Sequence, residues 1–180
     1  MIESKAPGRV CFFGDHQDYL TLPVIAGTID RFVRIKGETN GDEYLSLILI
    51  DFDSQIKINL NEPLEILQKG DYFRSSMRVL RRNGIIINEG YNIEITGDIP
   101  IKSGLSSSSA LTVAWIRFLI KASGNTNKFS DEQLARWAYE SEVLEFDEAG
   151  GLMDQYTIAQ GGMIYIDTQR GYTTKLTPKM

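Results

Sequence analysis

The chain has 180 residues, 42% of them hydrophobic, and a formal net charge of −5 at pH 7. That length suits one well-cored domain, and an acidic balance with no lysine or arginine block argues against binding a nucleic-acid backbone. No apolar stretch is long enough to cross a bilayer, the start MIESKAPGRV lacks the order of a secretion signal, and the sole cysteine, Cys11, can form no internal disulfide, so a cytoplasmic setting is expected.

Strands are predicted over residues 8–14 (GRVCFFG), 32–38 (FVRIKGE), 44–52 (YLSLILIDF) and 54–60 (SQIKINL). A helix follows over 71–85. Residues 91–98 return to strand, with Ile93 and Ile95 alternating with Asn92, Glu94 and Thr96 at a period of two. Residues 109–124 are apolar almost all round, which predicts a buried helix ending near Gly124. The next helix, 131–146, opens with Ser130 three residues before Gln133, a capping-box spacing. It places Leu134, Trp137, Ala138 and Ser141 at helical intervals. A last strand is predicted over 161–168. Early strands with later helices suggest an α+β domain, a mixed sheet with helices on one face. No Pro/Gly-rich linker divides it.

Three segments carry candidate chemistry. SGLSSSSA, residues 103–110, sits between a strand and a buried helix, where unpaired backbone N–H groups and the helix dipole favour an anion. One serine would explain a helix cap; four behind a glycine point to a phosphate site. APGRVCFFGDHQDY, residues 6–19, sets Arg9, Asp15, the sole histidine His16, Asp18 and Tyr19 at or just past a strand, as a hydroxyl-binding site would. Turn chemistry alone also explains the two aspartates. In EVLEFDEAGGLMDQ, Asp154 follows a Gly-Gly turn near a helix start, twelve residues after Glu142. A solvated acidic helix end with an N-capping Asp154 is the simpler alternative. No Gly-x-x-x-x-Gly-Lys-Ser/Thr loop occurs, and one histidine with one cysteine builds no typical structural zinc site.

Taken together and in this order, the segments resemble the motifs of the GHMP kinases. The first is similar to that of the galactokinase branch, PIKSGLSSSSA resembles the family phosphate loop, and GGLMDQ resembles the galactokinase segment bearing a catalytic aspartate. The resemblance implies a ribosomal protein S5 domain 2-like fold and transfer of the γ-phosphoryl of ATP, with Mg²⁺, to a hydroxyl of a small metabolite. It implies Asp154 as base and Arg9 as the group stabilising charge. Gly104, Leu105, Ser106, Ser107, Ser108 and Ser109 would hold ATP, and Ser108 and Glu142 would hold the metal. Asp15, His16, Asp18 and Tyr19 would bind the sugar.

Asp15 stands where galactokinases carry Glu, and GGLMDQYTIAQGGMIYID leans toward the heptose- and fucose-kinase branch. The likeness of the first motif makes galactose the expected acceptor, and these departures make heptose, fucose or arabinose types its rivals. A non-catalytic sugar and ATP sensor is the other alternative, against which the set of Arg9, Ser108, Glu142 and Asp154 speaks. No third, glycine-rich family motif is present. This implies that residues 1–180 are an N-terminal domain without its C-terminal partner, a fragment expected to turn over poorly alone.

Overall fold

The longest strand organises the molecule. In the computed structural model, which describes residues 1–100, 103–125, 127–170 and 172–176, β2 (Val24–Thr39) is lined along one edge by β1 (Ile2–Phe13), antiparallel from Ile2 opposite Gly37 to Phe13 opposite Ile25. Its other edge is shared. Residues 33–39 pair with β5 (Tyr91–Gly97), and residues 24–27 pair with β6 (Met163–Asp167). Beyond β5 lie β3 (Tyr44–Leu49), running parallel to it, and β4 (Ser54–Asn59); beyond β6 lies β7 (Tyr172–Leu176). The β3–β5 pair is parallel, which makes the sheet mixed.

Alternation explains the two faces. Val33, Ile35, Ile93 and Ile95 are buried, whereas Arg34, Lys36, Asn92 and Glu94 face solvent. The apolar face carries α2 (Ser107–Ala122) and α4 (Met153–Gln160), and α1 (Tyr72–Arg82) and α3 (Asp131–Glu142) pack against these helices. α2 lies at the centre, which is why it is apolar all round. Trp115 and Phe118 stack with ring centroids 5.6 Å apart, and Trp115 donates its indole N–H to the Phe73 carbonyl at 3.1 Å. Phe118 reaches the sheet because Gly37 leaves room: a Cβ there would lie 2.6 Å from the ring. The predicted cap forms, Ser130 accepting from Gln133 N at 3.1 Å, and Asp71 caps α1 by accepting from Arg74 N at 3.1 Å.

The structure lengthens two predicted strands and shortens one predicted helix. β1 and β2 run well beyond the segments 8–14 and 32–38. α3 stops at Glu142, and a 3₁₀ turn, Leu144–Phe146, follows instead of more helix. α4 and β7 are additions. In the PIKSGLSSSSA motif, Ile101 and Lys102 lie outside the described residues.

Two side chains of α2 close off backbone groups of β1. Lys121 Nζ donates to Glu3 O at 2.6 Å and Arg117 Nη1 to Lys5 O at 3.0 Å, a means of protecting strand backbone from stray pairing. They line a hollow of about 790 Å³. Its other cations are engaged as well: Arg34 with Asp98, Lys36 with Glu3, and Lys5 over the Phe32 ring.

Candidate active site

α2 begins at Ser107, two residues earlier than the sequence suggests, so the serines form its first turn. Ser106, the N-cap residue, has φ +55°, a left-handed conformation that costs a serine roughly 1–2 kcal/mol. Its side chain caps no helix N–H. Instead, its hydroxyl donates to Asp154 Oδ2. The first-turn N–H groups are thereby left without a side-chain acceptor, the condition for binding an anion.

Asp154 sits in the first turn of α4, and its other oxygen, Oδ1, accepts from Arg9 Nε at 2.7 Å. Arg9 also donates from Nη1 to Gly104 O at 2.5 Å, and its backbone N–H reaches Leu105 O at 3.2 Å. One guanidinium thus ties β1, the serine loop and α4 together. Its side chain is 11% exposed against 27% for Asp154, so both charges feel each other at reduced dielectric. The β1 ladder shifts register between Pro7 and Arg9, the sort of irregularity that re-aims a side chain.

Asp18 works on the same helix. Its Oδ2 accepts from Met153 N, at the start of α4, at 3.2 Å, and Oδ1 from its neighbour Tyr19 N at 3.1 Å. A carboxylate there satisfies an orphan donor and complements the helix dipole. Gly151 makes this approach possible: a Cβ on it would fall 1.7 Å from Asp18 Oδ2.

Behind the serines lies Glu142, 7% exposed. Burial pushes its carboxyl above the ordinary 4.5. Hydrogen bonds with Gln155, Ser109 and Ser108 pull it back down, and the nearby Asp154 charge pushes it up again. Gln155 Nε2 donates to Glu142 Oε2 at 2.7 Å. No basic side chain among the described residues pairs with Glu142.

These groups border one cleft of about 340 Å³, lined among others by Arg9, Asp15, Asp18, Ser108, Glu142 and Asp154. His16 and Tyr19 stand at its rim, exposed. His16 Nε2 is 3.8 Å from Asp15 Oδ2, and its φ is +59°. A second cavity of about 280 Å³, walled by Val33, Leu49, Phe52, Ile95, Ile99 and Leu111, adjoins the first, since Tyr72 and Ser108 line both.

The structure therefore brings Arg9, Asp154 and the serine run into one place, with Asp15, His16, Asp18 and Tyr19 across from them. It also divides the serines. Ser106 is spent on Asp154 and Ser109 is buried against Gln155, while Ser107 and Ser108 face the cavities. The oxygens of Glu142 and Ser108 suit a hard divalent cation. Among the described residues no cluster of three or more His, Cys, Asp or Glu side chains forms a self-sufficient metal site, so further ligands would come from phosphate and water. Tyr72 and Gln155, which sequence reasoning passed over, also line the cleft. The only signal for Gln155 is its place beside Asp154.

Residues 71–162 match the family model for the GHMP kinases N terminal domain. The galactokinase of Thermococcus kodakarensis is 33% identical over 171 residues, a match covering 91% of this chain and 46% of that protein. The chain thus spans about half the length of that relative. Among solved structures, the Methanococcus jannaschii mevalonate kinase superposes with a TM-score of 0.83 at 24% identity, covering 98% of this chain and 56% of that one. The Lactococcus lactis galactokinase complexed with galactose superposes with 0.81 at 23% identity, covering 96% and 46%. These last two likenesses establish the fold.

Proposed function

Since the chain belongs to the GHMP kinases through their N-terminal domain, we propose that it serves transfer of the γ-phosphoryl group of ATP to a sugar hydroxyl, with galactose the favoured acceptor. The preference for galactose rests on the 33% identical relative, which is a galactokinase. The observation that carries the reading is Asp154, bonded at once to Arg9 and to Ser106 at the amino end of α2. A carboxylate that accepts a hydroxyl proton and a helix end that holds phosphates must share one cleft for in-line transfer.

In this reading the apolar cavity takes the base and the first-turn N–H groups of α2 face the phosphates. Ser107 and Ser108 add hydroxyl donors. Asp154 orients the acceptor hydroxyl and takes its proton on a carboxylate oxygen. Arg9 holds Asp154 in place and offsets negative charge building on the transferred group. Asp15, His16, Asp18 and Tyr19 supply donors and acceptors for the sugar's remaining hydroxyls. Magnesium, held by Ser108 and Glu142, would neutralise phosphate charge. No helix among the described residues is long and apolar enough to cross a membrane. With ATP as donor, the cytoplasm is the proposed location.

The test is ADP release from ATP with galactose, arabinose, fucose, heptose phosphate and mevalonate as acceptors, using a polypeptide that carries this domain. Asp154→Asn should lower kcat by about 10²–10⁴-fold while nucleotide binding persists. An unchanged rate would remove Asp154 from its role.

A further inference from the structure

We propose that Gln155 is a positioning residue for Glu142, fixing which carboxylate oxygen is offered to a divalent cation. The inference rests on the cation reading above. Asp154 and Gln155 are consecutive on α4, so their side chains leave the helix about 100° apart. The first points to Arg9 and Ser106, the second to α2 and α3. Gln155 is 3% exposed. Its Nε2 donates to Glu142 Oε2 at 2.7 Å and lies 3.4 Å from Ser109 Oγ. The orientation of the amide follows from its partner. Turned over, it would set two oxygen acceptors face to face at that distance.

Its own carbonyl, Oε1, is buried with no partner. An orphaned buried acceptor is unfavourable, and a methionine of similar volume would fill the space without it. What a methionine lacks is the N–H aimed at Glu142. Glu142 and Ser108 both line the cleft, and the Ser108 and Ser109 hydroxyls also bond the Glu142 carboxylate. With Oε2 held by the Gln155 donor, Oε1 is the oxygen assigned to the cation. Hydrogen-bond partners behind a ligating carboxylate restrict its rotation and set the direction of its lone pairs; losing one costs typically ~10–100-fold in metal affinity.

The experiment measures Mn²⁺ binding to the 180-residue protein with adenylyl imidodiphosphate, by the loss of the free-ion electron paramagnetic resonance signal. Wild type, Glu142→Gln, Gln155→Met and Gln155→Asn are compared, with thermal unfolding followed for each. Gln155→Asn keeps a buried amide but withdraws it by one methylene, so it reports even where the methionine variant folds poorly. We expect both Gln155 variants to bind Mn²⁺ about 10–100-fold more weakly, approaching Glu142→Gln, with nucleotide affinity in the absence of metal unchanged. If Glu142→Gln weakens binding and folded Gln155 variants do not, the role of Gln155 is overturned while the cation reading stands. If wild type takes up no Mn²⁺, or Glu142→Gln binds it as tightly as wild type, both fall together.

Discussion

Replacing Gly151 by alanine probes the contact that links the DHQDY segment to α4. The added Cβ would lie 1.7 Å from Asp18 Oδ2 and 1.9 Å from its Cγ, so the carboxylate must leave. The backbone does not resist the change, because Gly151 is not among the positive-φ glycines. What is lost is the bond from Met153 N to Asp18. A hydrogen bond to a charged group contributes about 1.5–3 kcal/mol, less here because Asp18 is partly exposed and water can take its place. The favourable charge at the helix start adds about 0.3–1 kcal/mol. A net loss of about 1–2 kcal/mol follows, or a Tm lower by about 2–8 °C for a chain of this size. Urea unfolding monitored by far-UV circular dichroism would measure it. The same substitution on an Asp18→Ala background meets none of the three nearest atoms. There it should be neutral or stabilise by about 0.4–1 kcal/mol through the unfolded chain. Asp18 and Gly151 are thus predicted to be strongly non-additive. An equal cost on both backgrounds would refute the account.

Glu142 gives a pH signature. Its folded pKa is raised above 4.5 by burial, so the native state holds the proton longer than the unfolded chain does. The contribution of Glu142 to stability therefore declines as pH rises from about 4.5 through the raised value. Urea midpoints across that range should fall less steeply in Glu142→Gln; identical slopes would contradict the desolvation argument. Gly37→Ala forces a Cβ to 2.6 Å from the buried Phe118 ring. It should cost about 1–3 kcal/mol by overpacking, with Phe118→Leu restoring part of it in the same urea titration. Ser130→Ala removes the acceptor for Gln133 N and should cost about 1 kcal/mol, read as a shift in urea midpoint without a change in slope.

What could be read from the chain in advance depended on how many neighbours each residue answers to. β5 was readable because one face meets helices and the other meets water along its length, so Ile93 and Ile95 alternate cleanly with Asn92 and Glu94. β2 was only half readable. It pairs with β5 over one half and β6 over the other, and the Ala26-Gly27 pair lies tight against β1 and β6, which replaces alternation with small residues. Two register shifts blur β1 in the same way. α4 is short, and it buries Gln155 and Thr157 beside Met153 and Ile158, so its inward face is not apolar enough to announce a helix.

The candidate site divides along the same line. The serine run was nameable because its chemistry is local, a helix end behind a glycine; Arg9 and Asp154 took their roles from the family resemblance, since an N-cap alone would explain Asp154. The pairings that give them direction were not nameable. Asp18 reads as a ligand for hydroxyls yet spends one oxygen on Met153 N, 135 residues away. Gln155 carries no reading of its own in the sequence yet meets a carboxylate on another helix. Both attach to α4, on either side of Asp154. A change in either should therefore reach Asp154 through the start of that helix rather than through direct contact, and their effects on its orientation should combine non-additively.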